Sequence, residues 1–201
     1  HFAQHGVTIA QVLLTRSDFQ HKLRYKNAYA TLTELLERSI LPIINENDTV
    51  STDEIVIGDN DTLSAVVAVC VKADLLILLS DIDGLYTSNP RENSDAEIIP
   101  VVKEITPEIE KLGGNAGSKL GTGGMITKIH AAKIATGEGT SMVIANGSNP
   151  DVLYDIIDGK AHAECVIKGY NMIFDFELID IKKNADYAIA LHVRKVMPGE
   201  E

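Results

Sequence analysis

Five apolar residues stand in succession at Leu75, Leu76, Ile77, Leu78 and Leu79, preceded by Asp74 and stopped by Ser80 and Asp81. A run of that length suits a strand, and side chains alternate across a strand, so apolar residues at every position require cover on both faces. Strands of this kind belong to parallel sheets with helices above and below. The rest of the chain supplies the partners. Residues 8–14 (TIAQVLL) read as a second buried strand, residues 40–44 as a third, residues 55–57 (IVI) as a short one, and residues 141–145 as another buried strand.

Between these runs the apolar period changes from two to about 3.6. Ala28, Leu32, Leu35 and Leu36 make residues 27–38 an amphipathic helix, and residues 62–73 form an apolar helix capped by Asp61 or Thr62. Residues 2–6 read as a helix end closed by glycine. Thr106 and Pro107 open a short helix, residues 125–136 form a longer one stopped at Gly137, and residues 149–157 form the last, ended by Gly159. The alternation predicts an α/β fold: a mainly parallel sheet sandwiched by helices on both faces. Residues 1–160 make one domain, and residues 161–201 are a tail of unassigned role. Within that tail, Phe174, Phe176 and Leu178 alternate with Asp175 and Glu177 as a half-buried strand would, and residues 185–196 read as a strand or short helix.

Charge excludes several classes of partner. Eighteen Lys and Arg against 29 Asp and Glu leave a net charge of −11. That field repels a phosphate backbone or an anionic lipid surface, so neither nucleic acid nor membrane is expected as partner. The longest apolar runs, residues 65–71 and 75–79, fall far short of the ~20 residues that span a bilayer. The opening residues carry no basic-then-apolar leader, and Cys70 and Cys165 form neither a metal spacing nor a disulfide framework, so a cytoplasmic place is expected. The six histidines show no metal-ligand spacing, and no GxSxG elbow or Cys–His constellation marks a nucleophile. No metal ligand is assigned.

In open α/β sheets ligands bind beyond the carboxyl ends of the strands. Three polar segments fall there: residues 45–48, residues 58–61 and Ser80-Asp81. From residue 39 to residue 71 there is no Lys or Arg, while Glu46, Asp48, Asp53, Glu54, Asp59 and Asp61 are present. One reading is a site for a ligand ammonium, with Asn45 and Asn60 holding the ligand's own carboxylate and a magnesium ion nearby. The other is a solvated acidic loop of caps and Asx turns. The segment at residues 117–128 holds four glycines, two threonines and two lysines ahead of a helix, yet matches neither GxxxxGK[ST] nor GxGxxG. It is either a phosphate cradle, with Lys128 supplying positive charge one turn into the helix, or a surface loop.

Taken together, these segments resemble the glutamate 5-kinases of the amino-acid kinase superfamily. The matching stretches include AQVLLTRSDF (10–19), RYKNAYATL (24–32), LPIINENDTVST (41–52), IGDNDTLSA (57–65), ADLLILLSDIDGLYTSNPR (73–91), GSKLGTGGMITKIHAAKIA (117–135) and MVIANGSNPDVLYDIIDGK (142–160). The pair NENDTV and GDND is the most specific to that family. The resemblance implies transfer of the γ-phosphoryl of ATP, with Mg2+, to the side-chain carboxylate of L-glutamate, the first step of proline biosynthesis. It implies that Asp48 and Asn60 bind glutamate, with Asn45 and Asp59 lining the same pocket. The nucleotide would be met by Ser80 and Asp81 and by Thr122, Gly123, Gly124, Met125, Ile126, Thr127 and Lys128. Lys128 would offset charge on the transferring group and Asp61 would orient the lysines around the phosphates. The resemblance also implies feedback inhibition by proline and a homo-oligomer.

Two departures stand against the family pattern. The strand, phosphate-binding lysine and glycine-serine loop with which the family begins have no counterpart ahead of His1, so the fold is expected to be N-terminally truncated. After Lys160 the sequence reads AHAECV instead of the family's usual strand. An inactive or non-catalytic relative of the family therefore stands as the alternative function.

Overall fold

The computed structural model describes residues 1–50, 59–114, 124–157, 164–166 and 187–191. The strand expected at residues 55–57, most of the glycine-rich segment and the alternation around Phe174 lie outside them. The architecture is α/β. Strand β3 (Leu75–Ser80) is buried at every position, as its composition requires. It pairs in parallel with β5 (Ser141–Asn146), Leu75 opposite Ser141 and Ser80 opposite Asn146. Beyond β5 lies β6 (Glu164–Val166), antiparallel, which pairs in parallel with β4 (Val101–Val102). On the other side of β3, β7 (Tyr187–Leu191) runs antiparallel. The order is β4-β6-β5-β3-β7, so the two central strands are parallel and each is flanked by an antiparallel neighbour from beyond residue 160.

The period of two along β3 and β5 divides the interior into two cores. Leu76, Leu78, Met142 and Ile144 face helices α3 (Asn60–Cys70) and α5 (Met125–Gly137), meeting Leu63, Val67, Ile129 and Ala132. Leu75, Ile77, Leu79, Val143 and Ala145 face the opposite way, against Leu153 of α6 (Val152–Ile157). Helices therefore cover both faces. Gly113, just past α4 (Pro107–Leu112), lets that helix end abut α5, since a β-carbon there would lie 3.0 Å from the Ile126 α-carbon.

Strands β1 (Ile9–Leu14) and β2 (Leu41–Glu46) form a separate parallel pair, Ile9 opposite Leu41 and Leu14 opposite Glu46. They are joined through α1 (Arg16–Gln20) and α2 (Lys22–Glu37). Val12, Leu14 and Ile44 pack with Leu32 of α2 into the first core, whereas Ile9, Leu13, Leu41 and Ile43 remain exposed. The expectation of a buried strand at residues 8–14 is therefore corrected to a half-buried one. A β-branched run shows that a strand forms; it does not show how many layers cover it.

Several element ends also differ from expectation. Helix α2 starts at Lys22, five residues earlier than its apolar period indicated, because its first turns are amphipathic only weakly and face solvent. Helix α3 starts at Asn60 and is capped by Asp59, whose carboxylate accepts the Thr62 N–H at 2.6 Å; neither Asp61 nor Thr62 is the cap. Helix α5 continues through Gly137, and the left-handed turn that releases the chain is at Gly139, with φ 92°. The Thr106 cap, Pro107 at the first position of α4 and the glycine closure at Gly6 follow the sequence reading. Among the described residues no helix is long and apolar enough to cross a membrane.

Candidate active site

The first turn of α3 and the first turn of α5 lie side by side and bring together residues far apart in the chain. Asp61 and Lys128 are both buried, at 8% and 2% exposure. The Lys128 Nζ lies 3.1 Å from Asp61 Oδ2 and 3.4 Å from Oδ1. The Thr127 hydroxyl lies 2.6 Å from the same Oδ2 and 2.7 Å from the Gly124 carbonyl, so its one proton is shared between two acceptors. Behind them the Ser64 hydroxyl donates to the Asp61 carbonyl at 2.7 Å, bracing the turn that carries the carboxylate.

This arrangement makes electrostatic sense. An ammonium buried without a counter-charge would be costly, and the Asp61 carboxylate removes that cost. An ammonium has three N–H donors, and Asp61 takes at most two. Gly124 stands at the N-cap of α5 with no side-chain hydrogen bond. The Thr127 N–H donates to the Gly124 carbonyl at 3.0 Å, and among the described residues the N–H groups of Met125 and Ile126 ahead of it have no partner and can face an anion. A fixed cation and a helix N-terminus thus adjoin one another, the combination that suits a phosphate.

The other expected residues lie at the ends of helix α3 and of strands β2 and β3. Asn60, exposed, is the first residue of α3, beside Asp61. Asp59 spends both carboxylate oxygens on Thr62, on its N–H at 2.6 Å and on its hydroxyl at 2.9 Å. The Thr62 hydroxyl in turn lies 3.3 Å from His130 Nδ1, linking α3 to α5 a second time. Asn45 is exposed on β2 opposite Leu13, and Asp48 is exposed in the turn that follows β2. Helix α3 packs against β2, the strand that leads into that turn. Ser80 is buried at the carboxyl end of β3, and its hydroxyl is 3.4 Å from Asp81, which pairs with Arg91 at 3.0 Å in solvent. Gly124, Met125, Ile126, Thr127 and Lys128 open α5 as expected, while Thr122 and Gly123 lie outside the described residues.

Sequence reasoning passed over His130, Arg91 and Asn146. Of these, Asn146 carried a usable signal, since it ends strand β5 directly before Gly147, at the same edge as Ser80. A surface groove beside β1, lined by Leu13, Asp18, Arg24 and Asn27 among others, contains none of the expected ligands. Its carboxylate is already committed. Burial pushes the Asp18 pKa upward, but the Thr15 hydroxyl and N–H, with Arg24, outweigh it and hold the group below its ordinary value.

The family model for the amino acid kinase family matches residues 1–146. The chain belongs to that family. Among curated relatives, it is 56% identical over 160 residues to glutamate 5-kinase of Clostridium tetani, a match covering 80% of this chain and 60% of that protein. It is 55% identical over 157 residues to glutamate 5-kinase of Deinococcus radiodurans, covering 78% of this chain and 43% of that one. The chain therefore spans roughly half the length of these relatives. Solved structures agree on the fold: an isopentenyl phosphate kinase substrate complex superposes with a TM-score of 0.57 at 17% identity, covering 82% of this chain and 62% of the other. UMP kinase from Ureaplasma parvum gives 0.54 at 15% identity, covering 83% and 63%. Among the described residues, no three His, Cys, Asp or Glu side chains converge on a metal-sized site.

Proposed function

We propose that this chain carries the glutamate and nucleotide sites of a glutamate 5-kinase, which transfers the γ-phosphoryl of ATP to the side-chain carboxylate of L-glutamate. The observation that carries the reading is the buried Lys128–Asp61 pair, joined by the half-buried Thr127, at the start of α5, whose Gly124 cap makes no side-chain hydrogen bond. The relatives named glutamate 5-kinase add the substrate.

In the reaction a glutamate side-chain oxygen forms a bond to the γ-phosphorus while the bond to the β-phosphate oxygen breaks, yielding glutamyl 5-phosphate and ADP. Little covalent work falls to the protein, so positioning and charge neutralisation dominate. Lys128 offsets charge on the transferring group, and Asp61 fixes its ammonium. The first-turn N–H groups of Gly124, Met125 and Ile126, with Thr127, meet phosphate oxygens; Thr122 and Gly123 would precede them. Ser80 and Asp81 contact the nucleotide from the end of β3. Asp48 and Asn60 bind glutamate, with Asn45 and Asp59 lining the pocket: the Asp48 carboxylate faces the ammonium, the amides face the α-carboxylate, and Asp59 holds the start of α3 in place. Mg2+ bound to the phosphates would supply further charge neutralisation. A place in proline biosynthesis in the cytoplasm, inhibition by proline at the glutamate pocket and homo-oligomer formation accompany this reading as its expectations.

Ligand-dependent melting separates the acceptor classes, because a ligand that binds the folded state raises its apparent stability. With MgATP present, L-glutamate should raise the melting midpoint, and aspartate and N-acetylglutamate should not. Equal shifts from all three would overturn the assignment of glutamate.

A further inference from the structure

Strands β3 and β5 end together, Ser80 opposite Asn146, and the Gly147 N–H donates to the Ser80 carbonyl at 2.8 Å, carrying the ladder one step past the sheet. The chain passes tightly here, since a β-carbon on Gly147 would lie 3.1 Å from the Leu79 β-carbon. At this edge the Asn146 side chain uses both ends of its amide. Its Nδ2 donates to Asp83 Oδ1 at 2.7 Å, and its Oδ1 accepts the Ser148 N–H at 2.9 Å and the Ser148 hydroxyl at 2.6 Å. The acceptor duties toward Ser148 fix which way the amide faces, so the donor is aimed at Asp83.

We infer that Asn146 is a positioning residue for the nucleotide, tying the turn after β3 to the end of β5 so that Ser80 and Asp81 are held at the crevice; this rests on the nucleotide reading above. Asp83 is exposed, so water could replace the Asn146 amide at little cost in stability. What water cannot replace is a fixed distance between two strand ends. The far end of the same loop is already anchored, by the Ile99 N–H donating to the Leu85 carbonyl at 2.8 Å and by the bridge between Tyr86 and Ile98. The near end, which carries Asp81, is joined to β5 on one side by the Gly147–Ser80 backbone bond and on the other by the Asn146–Asp83 side-chain bond.

Calorimetric titration of the 201-residue chain with a non-hydrolysable MgATP analogue, and separately with L-glutamate, tests this. Asn146→Asp sets two carboxylates against each other and should weaken nucleotide binding about tenfold, with glutamate affinity and melting midpoint unchanged. Adding Asp83→Asn restores one donor and one carboxylate across the same contact, and should return nucleotide affinity to within about threefold of the original. Unchanged nucleotide binding by Asn146→Asp, or a loss that the paired exchange does not recover, overturns the inference. If the unaltered folded chain binds no nucleotide, the functional reading falls and takes the inference with it. Tight binding by the unaltered chain and by Asn146→Asp alike removes only the inference.

Discussion

Lys128 and Asp61 are 67 residues apart in sequence, and yet the ammonium of one lies 3.1 Å from the carboxylate of the other, both nearly out of solvent. Each charge is tolerable there because of its partner. Removing one member leaves a buried charge unmatched, which costs about 3–5 kcal/mol, whereas removing both leaves none. Lys128→Met should therefore destabilise the chain by about 3 kcal/mol, and Lys128→Met with Asp61→Asn should recover at least about half of that loss. Urea unfolding of both single variants and the double variant checks this; additive losses would show that the pair is not coupled.

Asp59 is a helix cap whatever its role toward substrate. Replacing an Asp cap by Ala typically costs about 1 kcal/mol, so Asp59→Ala should lower stability by about that amount and Asp59→Asn by much less. Thermal melting distinguishes the two, and an unchanged midpoint for Asp59→Ala would deny the capping role.

Asp18 gives the stability a pH dependence of known sign. Its pKa lies below the ordinary value of 3.8: burial opposes this, and the Thr15 hydrogen bonds and Arg24 overcome it. A carboxyl depressed in the folded state adds stability that is fully present above the unfolded value and is lost as pH falls through the folded one. The stability advantage of the unaltered chain over Asp18→Asn should hold at neutral pH and shrink as pH drops below about 4. A difference that stays constant down to acid unfolding would contradict this. The side chains are partly exposed, so the effect is small and should fade in high salt.

Cys70 should be chemically inert while the protein is folded. Burial pushes its thiol pKa above the ordinary 9.0, against the opposing hydrogen bond with Tyr25, and the thiolate is the reactive form. In a Cys165→Ser background, a thiol reagent at pH 7 should label Cys70 orders of magnitude more slowly in buffer than in denaturant. Equal rates would mean that α3 opens readily.

The parts of this fold that were legible in sequence are those decided by local pattern. Leu75 to Leu79 could only be a strand covered on both faces, and the structure buries all of it. The caps at Thr106 and Gly6 are equally local, involving residues five or fewer apart. What depended on distant parts of the chain was not legible. The exposure of Ile9 and Leu13 reflects which layers pack on β1, and the antiparallel seat of β7 beside β3 joins residues more than 100 positions apart. Asp59 and Asp61 look alike in the run GDND. One turns onto its own helix end, and the other turns into the interior toward Lys128, a distinction set by the placement of α5. Asn146 was passed over although it stands directly before Gly147, because its partner Asp83 is 63 residues away and the contact itself leaves no local mark.

The most direct measurement is glutamate-dependent ADP release by this chain with MgATP, with hydroxylamine present to trap the acyl phosphate. The account predicts one glutamyl hydroxamate for each ADP, formed only when L-glutamate is supplied. A folded sample that binds both substrates and releases ADP without forming hydroxamate, or forms neither, would contradict it.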